Sequence, residues 1–129
     1  MSELNKNVAR RVAEEMLSGK PELAAELFAA SLVTKQTELA KLLHAAFPDL
    51  SLQVQDIVAE GDKVASRWVA TGTQRGPLFG IPPTNERVTW TGMTLDQIEG
   101  GKIVATKTNW DAFELFQKLT TAAKALPQR

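Results

Sequence analysis

GTQRGPLFGIPPTNERVTWTG, residues 72–92, carries the chain out of one apolar alternating run and into another. Between the two runs lie Gly76, Pro77, Gly80, Pro82 and Pro83. Glycine reaches backbone angles that other residues resist, and proline fixes φ and removes a donor. The loop is therefore shaped rather than slack. It also carries Leu78, Phe79 and Ile81, which a purely solvated loop would not need. A stiff apolar loop between two strands suits the rim of a pocket. It equally suits a flap over the core or a subunit contact, and composition leaves both open.

On either side, the period is that of strands. Val64 to Thr73, with Trp68 near its middle, reads as the strand entering the loop, and Arg87 to Ile98 as the strand leaving it. Glu99-Gly100-Gly101 turns the chain back tightly into a further strand, Lys102 to Asn109. Upstream, Leu50, Leu52 and Val54 alternate with polar residues, and the phase slips at Asp56-Ile57-Val58, which predicts a bulge. Glu60-Gly61-Asp62 joins that strand to the next. The pattern is an antiparallel meander.

Helical periods flank it. Leu4, Val8, Val12 and Met16 recur every four residues in a helix from about Glu3 to Leu17, with Ser2 as its cap. Pro21 opens a short second helix with Leu23, Leu27 and Phe28 on its buried face. A third runs from about Lys35 to Ala46, its stripe being Leu39, Leu42, Leu43 and Ala46, and His44 falls off that stripe toward the surface. The last, about Ala112 to Ala125, carries Phe113, Phe116, Leu119 and Ala123. Helices, a meander, then a helix make an α+β domain, cone-like, with helices on one face of a curved sheet. One domain is expected to span residues 1–129.

Composition narrows the chemistry. Acidic and basic residues balance at 15 each, so no global field points to nucleic acid or to a membrane surface. There is no cysteine, hence no disulfide and no thiolate, and the single histidine argues against a histidine-built metal site. No apolar run approaches the roughly 18 residues of a spanning helix, and the polar start lacks a signal-peptide core. The expectation is a soluble, cytoplasmic protein.

GDKVASRWVATGTQRGPLFGIPPTNERVTWTGMTLDQIEGGKI, followed by NWDAFELFQKL, resembles the SnoaL-like polyketide cyclases, or ester cyclases, of the nuclear-transport-factor-2-like superfamily. The likeness runs from Asn5 to Leu119 and is most specific at Gly80-Ile81-Pro82-Pro83-Thr84, Trp90-Thr91-Gly92, Gly101-Lys102-Ile103 and Asp111. The resemblance implies a cone with an internal pocket for a small hydrophobic carbonyl ligand, a homodimer, no cofactor, and an aspartate acid/base in some members. The chemistry it implies is the intramolecular aldol closure of a polyketide ester. A ketosteroid-type isomerase and a non-catalytic binding or scaffold protein are the alternatives. Two departures stand out. The family's strand with a histidine between the second and third helices is replaced by Ser31 to Gln36, so those helices should be joined directly. The family's Glu-His-Trp after the final turn is Ala105-Thr106-Lys107 here.

Asp111 is the candidate catalytic residue. A carboxylate with a raised pKa can take a carbon-bound proton and return it to oxygen. Trp68, Trp90, Trp110 and Phe113 would supply the apolar setting. Yet Asp111-Ala112-Phe113-Glu114 is also a capping box, and accepting backbone N–H groups lowers a carboxyl pKa. Regular alternation puts Ala105, Lys107, Asn109 and Asp111 on one face. Asn109 is then about 6.6 Å from Asp111 along the strand and shares a ligand with it, while Lys107 meets an anionic group or points to water. Trp68 and Trp90 serve as core or as ligand platforms. Phe79 belongs to the rim, and Asp96 shares a face with Trp90 and Val88, which turns it inward.

Overall fold

The computed structural model describes residues 2–126. Four strands, β1 (Ser51–Glu60), β2 (Lys63–Thr73), β3 (Arg87–Glu99) and β4 (Lys102–Trp110), pair antiparallel in the order β1-β2-β3-β4. The helices α1 (Ser2–Arg11), α2 (Ala24–Leu27), α3 (Ala30–Ala46) and α4 (Ala112–Lys124) cover one face of this curved sheet, giving the expected α+β cone. The turn between β3 and β4 is Gly100-Gly101, both at positive φ, which only glycine adopts freely.

Details differ from the sequence reading for local reasons. Ser2 is already helical rather than a cap, and α1 ends in a wider π turn over Val12–Met16. That turn serves the sheet edge. Ser18 Oγ donates to the Ala13 carbonyl at 2.9 Å and accepts the backbone N–H of Leu52 at 2.9 Å. Glu14 Oε2 accepts the N–H of Val54 at 2.9 Å. Edge donors of β1 are thus satisfied by side chains instead of a further strand. The bulge in β1 falls between Val54 and Asp56, slightly before the predicted phase slip.

α3 begins at Ala30, five residues earlier than its stripe suggests, so the segment between the second and third helices is only Phe28 and Ala29. No strand occupies Ala30 to Lys35, as the sequence predicts. Phe28 instead makes a single bridge to Ile103, and Ala29 N–H bonds the Ile103 carbonyl at 2.9 Å. Two stripes shift. On α4 the buried pair is Leu115 and Leu119, while Phe113 is 76 % exposed. On α3, Ala40 and Ala46 are buried, but Leu39 and Leu42 are exposed because an opening lies beneath them. His44 is half-buried rather than on the surface, and its Nδ1 has no partner among the described residues.

Two hydrophobic clusters share the inner face of the sheet. One gathers Phe47, Trp68, Trp90, Leu115 and Leu119. The other gathers Met16, Leu27, Phe28, Val64, Ile98 and Ile103.

Candidate ligand pocket

The pocket starts from a glycine. Gly92 on β3 pairs directly with Trp68 on β2, and a Cβ on Gly92 would stand 2.3 Å from the Trp68 ring. The missing side chain lets the indole lie flat across the neighbouring strand. Trp68, Trp90 and Trp110, the only tryptophans of the chain, line a cavity of about 190 Å³. Leu39, Leu42 and Leu43 of α3 and Leu115 of α4 form the facing wall. Phe47 holds Trp90 in place at a ring separation of 5.0 Å.

The Gly/Pro loop shapes the mouth. Gln74, fully buried, organises it: its Nε2 donates to the Gly76 and Ile81 carbonyls, and its Oε1 accepts from the backbone and hydroxyl of Thr84. Gly76 is required where the loop crosses the end of α3, since a Cβ there would lie 2.4 Å from the Ala45 carbonyl oxygen. Leu78 and Ile81 exchange backbone hydrogen bonds at 3.0 and 2.9 Å around Phe79 and Gly80. This tight turn holds Phe79 at φ 47, a left-handed backbone that costs a non-glycine residue about 1 kcal/mol or more. Leu78 is buried in the core, whereas Phe79 is 63 % exposed, lines the cavity and packs edge-on against Phe116 at 5.4 Å. The loop is both core cover and pocket rim.

Polar groups reach the inner face as a short row. Trp68 Nε1 donates to Thr94 Oγ1 at 3.0 Å, and Thr94 Oγ1 lies 2.9 Å from Thr108 Oγ1. Among the described residues, Thr108 carries the one hydroxyl of the cavity lining. Two pairing steps further along the ladder, Asp96 faces Thr106. Asp96 is 3 % exposed. Burial among apolar groups pushes its carboxyl up to about 6, and the Thr106 hydroxyl pulls the other way.

Of the residues read from the sequence, Trp68, Phe79, Trp90 and Trp110 come together in the lining. Asp96 is buried, on the inward parity expected of it, but it is not in the lining of this cavity. Lys107 and Asn109 are not in this cavity. They pair with Leu95 and Met93, whose side chains are exposed on the outer face. The cause is a register shift beside Gln97 and Ile98: Ile98 pairs with Ile103 but Gln97 with Ala105, so Val104 is an extra residue and reverses the faces of β4 beyond it. Asp111 also lies outside the lining. It is exposed, its N–H bonds the Thr91 carbonyl at 2.9 Å, and its Oδ1 caps α4 by accepting the N–H of Glu114 at 2.9 Å. Thr108 was missed, although Ile103 and Trp110 stand an odd number of residues apart, and both can face inward only across a bulge.

This geometry, a curved sheet and helices enclosing an apolar pocket, defines the class. The sequence profile of the SnoaL-like polyketide cyclases matches residues 6–119, and the chain belongs to that family. Among solved structures it is similar to a SnoaL-like polyketide cyclase from Jannaschia sp. CCS1, with 21 % identity, coverage of 98 % of this chain and 95 % of that one, and a TM-score of 0.80. A polyketide cyclase from Acidithiobacillus ferrooxidans gives 24 % identity, coverage of 92 % and 96 %, and a TM-score of 0.82. IdmH, described as a polyketide cyclase from Streptomyces antibioticus, gives 26 % identity, coverage of 90 % and 98 %, and a TM-score of 0.77. Among curated proteins, none matches this chain. Among the described residues no helix is long and apolar enough to cross a membrane.

Proposed function

We propose that this protein binds a small hydrophobic carbonyl compound in the tryptophan-lined cavity. The observation that carries the reading is the lining itself: three indoles, aliphatic side chains and a single hydroxyl, Thr108. An apolar wall supplies affinity, and one placed polar group supplies orientation. Titrating the protein with acetophenone while following tryptophan fluorescence tests this, because every tryptophan of the chain lines the cavity. Saturable quenching, lost when Leu43→Trp fills the cavity, is the expected result. Quenching that survives in the filled variant would place binding elsewhere.

A cyclase-type step requires a carboxyl group that exchanges a proton with the ligand. Asp111 is the carboxylate the family resemblance nominates, but its Oδ1 is engaged as a helix cap. Asp96 has the buried setting that keeps a carboxyl protonated into the mildly acidic range, but it does not line the cavity, so a role for it needs the ligand to reach past the lining. Exchange of the acetophenone methyl protons for deuterium, followed by NMR, separates the two. Loss of exchange in Asp96→Asn alone assigns the proton transfer to Asp96, loss in Asp111→Asn alone assigns it to Asp111, and the absence of exchange in the wild type leaves binding without this chemistry.

The same reading includes a homodimer through the outer sheet face. Among the described residues no helix covers that face, and Val58, Met93 and Leu95 stand 64 %, 56 % and 46 % exposed on it. Exposed apolar clusters of this kind are typical of interfaces. Sedimentation at tens of micromolar should give a dimer, and Leu95→Lys should give a monomer.

A further inference from the structure

We infer that the ligand is a neutral, single-ring compound whose acceptor oxygen is received by the Thr108 hydroxyl, with Trp68 and Thr94 as positioning residues. This rests on the binding reading above and narrows it.

The size comes first. An apolar cavity of roughly 150 Å³ holds benzene, and drug-sized sites run from roughly 300 to 1,000 Å³. At about 190 Å³, this cavity takes one ring and a small substituent. A fused polyketide of three or four rings would leave most of its rings outside it. Charge comes next. No side chain lining the cavity, among the described residues, is ionisable. Burying an unpaired charge there is heavily unfavourable, so the occupant is neutral. The walls favour a flat molecule, since indole and phenyl faces pack against rings in offset or edge-on geometry.

Direction comes from the hydrogen-bond row. An indole N–H can only donate, so Thr94 Oγ1 is the acceptor at 3.0 Å. A hydroxyl that accepts becomes a better donor, because bonds in a chain polarise one another. We take Thr94 to donate in turn across 2.9 Å to Thr108 Oγ1, one of the two directions that this pair of hydroxyls allows. That leaves the Thr108 proton unspent, on a residue of the cavity wall. The row therefore delivers a donor to the ligand, matching a carbonyl or ether oxygen rather than an N–H or hydroxyl proton.

Three probes test this, read by NMR on the three indole N–H resonances: acetophenone, its near-isostere isopropylbenzene, which has no acceptor, and the three-ring ketone anthrone. Wild type should bind acetophenone about fivefold more tightly than isopropylbenzene, the range expected for one net hydrogen bond. Acetophenone should move the Trp68 indole proton further downfield than isopropylbenzene does, because the row tightens when its far end is used. Thr108→Val should erase the preference without weakening isopropylbenzene, and Thr108→Ser should restore it. Thr108 is exposed on the edge strand, so both variants are expected to fold. Equal affinity for the two single-ring probes in wild type, or a preference that survives in Thr108→Val, overturns the donor assignment while the apolar pocket stands. Anthrone binding more tightly than acetophenone overturns the size assignment. If none of the three binds, the pocket reading falls together with this inference.

Discussion

The two hydrophobic clusters on the inner face are built from the same strands and differ in how they are closed. Near the β3–β4 turn, Phe28 reaches across from the end of α2, bridges Ile103 and fills the space over Val64 and Ile98. Phe28, Leu27, Met16 and Ile103 are all at most 2 % exposed. At the other end, Leu39 and Leu42 of α3 are left exposed, and Trp68, Trp90 and Trp110 line an opening. The same apolar inner face thus serves for stability at one end and for reception at the other. Large rings alone do not make a core; a pocket results when the covering helices leave their leucines without a partner across the gap.

The largest expected effect breaks the closed end. Phe28→Ala should cost about 3–5 kcal/mol in denaturant unfolding, the range for removing a fully buried ring. Leu42→Ala, in the wall of the open end, should cost under about 1 kcal/mol, because Leu42 is already 49 % exposed. Comparable costs at the two positions would mean that the cavity is not open in solution.

Asp96 lies between the two ends, and its carboxyl should respond to pH. Its folded pKa of about 6 stands above the ordinary 3.8, so the folded state holds its proton longer than the unfolded state does. The favourable, protonated form is complete below pH 4 and is lost as pH rises through 6. Wild-type stability should therefore decline across that interval, by up to about 3 kcal/mol at roughly 1.4 kcal/mol per pKa unit. Asp96→Asn should lack the decline and be the more stable protein at neutral pH. Parallel curves for the two proteins would refute the assignment.

Much of this arrangement was legible in the sequence, for physical reasons. Turn residues and a period of two fixed the meander: Gly100-Gly101 adopts the positive φ values that a tight reversal needs, and Trp68 and Trp90 kept the inward phase on β2 and β3. Asp96 followed from the same parity. What escaped was a single residue. Val104, left over in the β3–β4 pairing, reversed the faces of β4 and carried Lys107 and Asn109 out of the pocket while bringing Thr108 in. Local alternation does not reveal a bulge unless apolar residues of opposite parity are noticed. The start of α3 was hidden because its N-cap, Ala29, offers no side-chain cap bond, while the cap-type residues Ser31 and Thr34 lie inside the helix. Gln74 gave no pattern at all; its role exists only once the loop has closed around its amide.

Gly92→Ala probes how the open end is kept open. In a strand interior, alanine is ordinarily favoured over glycine by roughly 0.5–1 kcal/mol. Here the new methyl would lie 2.3 Å from the Trp68 ring, and overpacking costs about 1–3 kcal/mol. The clash should win, giving a net loss of about 1–2 kcal/mol. Displacement of the indole should also break its 3.0 Å bond to Thr94, which a shift of the Trp68 indole N–H resonance would report. A variant as stable as wild type with that resonance unmoved would show that Trp68 does not lie across Gly92.

The smallest effect is expected at Asp111, where the border of the open end is set. Its backbone N–H extends the β3–β4 pairing through Thr91, and its side chain starts α4 through the N–H of Glu114. Asparagine presents the same kind of acceptor to the same donor and ranks beside aspartate as a cap, so Asp111→Asn should change stability by less than about 1 kcal/mol. Asp111→Ala removes the acceptor and should cost about 0.5–2 kcal/mol. A cap therefore predicts a clear ranking in unfolding free energy: wild type and asparagine together, alanine below both. A carboxyl held in an apolar site predicts a different ranking, with both variants above wild type at neutral pH, because either one removes an ionised group from a place that disfavours charge. Since α4 carries Leu115 and Phe116 to the cavity and its mouth, loss of the cap should also loosen the wall facing the tryptophans. Alanine should then weaken acetophenone binding slightly, and asparagine should not. If the two variants weaken binding equally while only alanine loses stability, the carboxylate itself contacts the ligand, and Asp111 belongs to the pocket after all.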